Sequence, residues 1–336
     1  MSTRITVLVA VAAFLQPSST AVAGMGQTCH EADVPVTTST VTGAIHGRLC
    51  LPAGPAPNTV LVLVPGATYN SSYWDFPTAP EIYSFAKAMT NAGYATFSLD
   101  RLGTGRSTRP LSVQVTALIE AQAVHGVIKA LRAGDVADTS FDEVVIGGHS
   151  LGSGIAIIEA ATYHDVDALL VTGLSHMVNI VNTFLLFSVY THSVALDSRF
   201  PDHDPGYFTT VPGMRTKAFH SPDTVDPRVA ATDEALRDTA SYSEVPDFVA
   251  LGVVTPYSAL IRVPVLIAIG ERDPYFCGLL LPVCSQVALA VREKAYYPSA
   301  PSLHTYVLPT AGHSINLNPD TALVHAAVID WINSVT

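Results

Sequence analysis

The sequence predicts an α/β fold, a mostly parallel sheet flanked by helices with an inserted cap (lid) domain. Short apolar runs at 60–64, 95–100, 144–148, 169–173 and 265–269 read as strands covered on both faces. Helically spaced segments lie between them, the alternation that puts helices on both sides of a parallel sheet. Between the runs ending near Gly173 and starting near Val263 lie roughly 90 residues, far beyond a normal connection.

Arg4, the apolar stretch 5–15 and the small residues Ala21-Val22-Ala23 have the layout of a signal peptide (1–23) cleaved near Ala23, hence a secreted product. Eleven residues are too few to cross roughly 30 Å of hydrocarbon. No later segment reaches 18 uninterrupted apolar residues, so no stable membrane insertion is expected. Runs at 36–41 and 44–51 around Thr42-Gly43 predict an antiparallel hairpin leading into the sheet. Val115, Leu118, Ile119, Val127, Ile128 and Leu131 keep helical spacing up to a stop near Gly134. Residues 305–308 read as a weaker sixth strand, and Asn318-Pro319-Asp320 as a helix start with proline at its first position. Residues 24–173 and 263–336 then form the core, and 174–262 the cap, whose aromatic residues include Phe184, Phe187, Tyr190 and Phe219.

With 336 residues, 49% apolar and only 13% charged, the chain has ample material for a large core. Its net charge of −11 and lack of any basic run exclude nucleic acid as a partner, because phosphate contacts need clustered Lys and Arg. Four cysteines suit an oxidising compartment. Of the three possible pairings the local one, Cys29 with Cys50 and Cys277 with Cys284, is expected, the alternative being free buried thiols. No two histidines sit at ligand spacing with a carboxylate, so neither metal nor other cofactor is expected. Asn70-Ser71-Ser72 matches a glycosylation sequon beside a candidate active-site loop and reads as a chance match.

Gly148-His149-Ser150-Leu151-Gly152 carries the chemistry. It follows one predicted strand and opens an apolar helix, a sharp turn that holds a serine hydroxyl exposed beside a base. Ile269-Gly270-Glu271-Arg272-Asp273-Pro274 leaves a second strand and delivers an acid to the carboxyl edge of the sheet, where open α/β sheets bind ligands. Asp273 is preferred to its neighbour Glu271. Ala311-Gly312-His313-Ser314 follows the last short strand and supplies the imidazole. His149 is expected to pack behind the serine, and His176 to line the pocket as a weaker rival base.

The order Ser150, Asp273, His313, and the strand-turn-helix setting of the serine, resemble the α/β-hydrolase family. The likeness covers nearly everything after residue 40 except the cap. It implies a catalytic triad of those three residues and an oxyanion hole from the N–H groups of Leu151 and Ala67. Ala67 belongs to Val64-Pro65-Gly66-Ala67, where Pro65 replaces the histidine common in the family's oxyanion loop. Asp100-Arg101-Leu102-Gly103-Thr104-Gly105-Arg106-Ser107 is similar to a structural turn of the family rather than a phosphate cradle. Thr68, Tyr73, Trp74, His176 and Phe187 are expected to line the substrate pocket.

The expected activity is serine-based cleavage of a carboxylic ester or lactone, with a small apolar molecule as substrate. Two alternatives stand beside it. A proline-releasing aminopeptidase would use cap acids such as Asp202, Asp204, Asp223, Asp226, Glu234 and Glu244 to grip an amine. A catalytically silent ligand-binding homologue would not need an ordered acid and base.

Overall fold

The computed structural model of the chain describes residues 27–277 and 284–336, so the signal peptide expected at 1–23 lies outside the described residues. The first strands, Thr28–Thr37 (β1) and Thr42–Leu51 (β2), form the antiparallel hairpin. Cys29 stands opposite Cys50 and is disulfide-bonded to it. The turn falls earlier than Thr42-Gly43, because Thr38 closes on the Val41 carbonyl through both its N–H and its hydroxyl. β1 also begins well before the apolar run. Its outer half faces solvent at a sheet edge and so lacks an apolar signal.

Four further core strands follow: Thr59–Val64 (β3), Ala95–Leu99 (β4), Glu143–His149 (β5) and Ala168–Thr172 (β6). Three short strands come next, Thr191–Ser193 (β7), Tyr207–Thr210 (β8) and Ala240–Ser241 (β9). Val265–Gly270 (β10) and Leu303–Leu308 (β11) complete the set. The main sheet has the order β1-β2-β4-β3-β5-β6-β10-β11 and is parallel from β4 to β11. Every residue of β3, β4, β6 and β10 is buried, as covering on both faces requires.

The helices are Pro80–Tyr83 (α1), Phe85–Asn91 (α2), Ala117–Ala133 (α3), Leu151–Tyr163 (α4), Ile180–Leu185 (α5), Arg215–Phe219 (α6), Pro227–Ala235 (α7), Glu244–Asp247 (α8), Gln286–Glu293 (α9) and Thr321–Val335 (α10). Thr116 caps α3 through its hydroxyl, and Gly134 ends it at φ 80°, a left-handed stop suited to glycine. α10 starts after Pro319 rather than on it. The Asn318 side chain accepts from Asp320 N–H and holds a turn there, leaving Asp320 as the N-cap.

The chain leaves β3 toward β4 on one side and returns to β5 on the other. This reversal opens a crevice at the carboxyl ends of β3 and β5, where open α/β sheets place ligands. The segment between β6 and β10 builds the antiparallel sheet β7-β8-β9 and the short helices α5 to α8.

Candidate active site

β5 ends at His149 and α4 begins at Leu151, so Ser150 alone turns the chain, with φ 54° and ψ −117°. An L-residue rarely adopts this backbone, and surrounding structure must hold it there. Its N–H donates to the Thr172 carbonyl at 2.9 Å, and its carbonyl accepts from Ser153 N–H at 2.9 Å. The flanking glycines make the turn possible. A Cβ on Gly152 would lie 2.3 Å from the Val64 carbonyl oxygen, and one on Gly148 would lie 2.4 Å from the Ser153 Cα. Leu151 opens α4, where the first N–H groups have no partner within the helix.

The end of β3 turns through Gly66, Ala67 and Thr68, closed by Tyr69 N–H on the Gly66 carbonyl at 3.2 Å. Thr68 sits at φ 61° and is gripped from two sides. Its hydroxyl accepts from Arg215 Nη1 at 2.9 Å, and its carbonyl accepts from Asp238 N–H at 2.9 Å. The guanidinium of Arg101 donates to the Gly66 carbonyl at 3.3 Å. The turn carrying Ala67 is thus held from behind by two buried arginines.

The carboxyl end of β10 passes so close to the next loop that a Cβ on Gly270 would lie 2.0 Å from the Gly312 carbonyl oxygen. That proximity brings Asp273 to His313, with 2.8 Å between Oδ2 and Nδ1. The other carboxylate oxygen accepts from Tyr275 and Phe276 N–H at 2.8 and 3.2 Å, so the acid is fixed in orientation. Glu271, the rival acid, accepts from Thr310 N–H at 2.9 Å and fastens the loop instead. His313 is only 2% exposed, with Tyr275 edge-on at 5.0 Å and Phe276 stacked at 5.8 Å.

Ser150, Leu151, Ala67 and His313 face one cavity of about 460 Å³ of atom-free space. Its other walls are nearly all apolar: Tyr275 and Phe276 from the core, and Leu186, Phe187, Phe208, Val245 and Phe248 from the segment between β6 and β10. Thr68 and Phe219 line an adjoining recess that shares Ser150 and His313.

Three expected pocket residues lie elsewhere. Tyr73 and Trp74 are each 1% exposed and tucked beneath the site, Tyr73 stacked on His149 at 4.3 Å and Trp74 packed on Phe85. The turn at 71–73, capped by the Asn70 side chain, drives both rings inward. Asn70 also donates to Asp238 at 2.9 Å, so the sequon asparagine serves as a structural tie. His176 is buried against Glu293 at 2.6 Å and Ser258 at 3.0 Å, away from the cavity. His149 packs behind Ser150, with Nδ1 3.2 Å from the Thr172 hydroxyl. Burial, reinforced by His313 and Arg215, holds its imidazole well below the ordinary value and therefore neutral.

The sequence reading missed Arg215 and its partners. Arg215 lies over the Tyr69 ring at 4.0 Å and pairs with Asp233 at 2.9 Å, which in turn meets His220 at 2.8 Å. Burial pushes the Asp233 carboxyl up, but Arg215 and His220 outweigh it and hold it below the usual range. Tyr69 also bonds Ser314, the neighbour of His313, at 2.6 Å. No local motif announces this cluster, whose members come from four separate segments.

The alpha/beta hydrolase family model matches residues 61–326. No curated protein matches the chain. Among solved structures, a thermophilic esterase from Thermogutta terrifontis aligns with 14% identity and a TM-score of 0.62, over 91% of this chain and 99% of the esterase. A thermostable carboxyl esterase from Bacillus coagulans aligns with 17% identity and a TM-score of 0.60, over 93% and 99%. A monoglyceride lipase from Saccharomyces cerevisiae aligns with 15% identity and a TM-score of 0.57, over 91% and 97%. A sheet with this strand order, turned sharply at Ser150 and matched along most of its length by one family model, places the chain in the α/β-hydrolase family.

Proposed function

We propose that the protein is a secreted serine hydrolase that cleaves carboxylic ester bonds, lactones included, of apolar substrates through an acyl-enzyme. The observation that carries this is the strained turn at Ser150, opening on a cavity shared with His313, whose ring is paired with Asp273 behind it. His313 takes the Ser150 proton as the hydroxyl attacks the carbonyl, then returns it to the leaving alcohol. Asp273 holds the ring in one tautomer and stabilises its charged form. The N–H groups of Leu151 and Ala67 receive the developing oxyanion, each worth about 3 kcal/mol. Water then attacks the acyl-enzyme by the same route.

The walls favour an apolar substrate, and the segment 174–262 acts as the cap. Its Leu186, Phe187 and Phe208 form one side of the cavity, while Ile180, Val181 and Phe184 stand exposed on its outer surface. The peptidase alternative needs an acid near the serine, and among the described residues none of the six cap acids lines this cavity. Glu244 is taken by Arg101, Asp204 by Ser112 and Asp223 by Arg272. Both expected disulfides are formed, in keeping with export, and no described helix is long and apolar enough to cross a membrane.

A fluorophosphonate probe should label the wild type and leave Ser150→Ala unlabelled, while p-nitrophenyl esters turn over far faster than proline p-nitroanilide. Turnover retained by Ser150→Ala sinks the proposal. Asp273→Asn should lower kcat by about 10⁴-fold with the fold intact, because the imidazole loses its tautomer. A loss below tenfold would remove Asp273 from the mechanism.

A further inference from the structure

Away from the cavity, His125 of α3, Glu159 of α4 and Asp165 just after α4 converge, each offering a ligand atom within 4.8 Å of the others. His125 Nδ1 lies 2.8 Å from Asp165 Oδ2 and 3.6 Å from Glu159 Oε1. The Glu159 side chain is fully buried and meets no N–H or hydroxyl donor, its hydrogen-bonding neighbour being the carboxyl of Asp165, whose Oδ1 is likewise buried. Two buried carboxyls in contact are costly unless they share a proton or a cation takes the proton's place. We propose that these three residues form a binding site for a zinc-class divalent cation, which braces α3 against the far end of the helix that begins beside Ser150.

The geometry suits such an ion. Bonds of about 2.1 Å at tetrahedral angles separate ligand atoms by about 3.4 Å, so only small shifts from the present spacing are needed. One imidazole and two carboxylates match zinc and its neighbours, whereas calcium takes six to eight oxygens and rarely an imidazole. The set is preorganised. The His125 ring is stacked on Tyr163 at 3.8 Å, and Arg132 holds the Asp165 backbone carbonyl at 2.8 Å. His125 and Asp165 remain about a quarter exposed, which leaves an entry path and room for a water as fourth ligand. Glu159 lies nine residues along α4 from Ser150, or about 14 Å of helix rise, so the site is separate from the catalytic cavity. No local motif marks it, because the ligands are spaced 34 and 6 residues apart and include a single histidine.

The test is zinc titration of the chelator-treated full-length protein by calorimetry, with the thermal melt in parallel. One equivalent should bind and raise Tm by about 4 °C at a hundredfold excess over Kd, while calcium raises it by less than a degree. Cobalt in place of zinc should give four-coordinate visible absorption. His125→Ala and Glu159→Gln should each weaken zinc binding more than tenfold and abolish the absorption, and Ser150→Ala should bind as the wild type does. Should Glu159→Gln fail to fold, the partly exposed His125→Ala decides alone. No zinc binding by the wild type, or undiminished binding in His125→Ala, overturns the proposal.

Discussion

Ser150 occupies backbone space that costs an L-residue about 1–3 kcal/mol, and that strain is independent of its hydroxyl. Two substitutions separate the effects. Ser150→Ala should abolish ester turnover and keep the strain, whereas Ser150→Gly should abolish turnover and relieve it. Glycine also loses more freedom on folding, by about 0.5–1 kcal/mol, so Ser150→Gly should exceed Ser150→Ala in stability by about 1 kcal/mol. Urea denaturation of both variants measures this, and coincident midpoints would limit the strain to the about 0.5–1 kcal/mol that glycine loses on folding. The same reasoning explains why the serine was readable from sequence. Gly148 and Gly152 stand where any side chain would strike backbone, so the motif reports a steric necessity. Tyr73 and Trp74 were misjudged because their nearness to the Ala67 turn says nothing about which way a ring points. That depends on His149 and Phe85, which the rings meet only in the folded chain.

The segment between β6 and β10 is tied to the sheet by buried charge. Arg101, at the end of β4, meets Glu244 of α8 and Glu120 of α3 at full burial, and also donates to the Gly66 carbonyl. Two carboxylates share one guanidinium, so burial and the neighbouring Glu244 push the Glu120 carboxyl up despite Arg101. Removing the cation strands both acids. Arg101→Met should therefore cost about 3–5 kcal/mol and loosen the Ala67 turn, lowering kcat as well as the urea midpoint. A midpoint within 1 kcal/mol of wild type would mean the pair contributes little. The strands β3, β5, β6 and β10 were legible because both faces are buried and each holds a continuous run without a charged residue, flanked by polar residues only at its ends. The segment 174–262 was legible only as an interval too long for a loop. Its strands have two to four residues each, and its α-helices other than α7 no more than six, two of them passing into wider π-helical turns at 186–190 and 248–254, so no single period has room to emerge.

Acid should destabilise the molecule as a whole through histidines that fold in neutral form. Burial lowers the His325 imidazole to about 4, against about 6.5 in an unfolded chain. Between those values the unfolded state binds a proton that the folded state refuses, so stability falls as pH drops through this window. His325→Gln removes that contribution, and its loss of stability from pH 7 to 4.5 should be smaller than the wild type's by about 2 kcal/mol. Equal losses in chemical denaturation would rule out His325 as a source. The cavity has its own dependence on a distant choice of residue. Gly154, on the helix that follows Ser150, receives the ring of Phe248, and a methyl placed there would come within 2.4 Å of it. Gly154→Ala displaces that ring, which forms part of the cavity wall. Activity on long-chain p-nitrophenyl esters should then fall at least tenfold relative to the acetate. On the proposed function, a missing methyl group one turn along the helix would set how long an acyl chain the cavity can swallow.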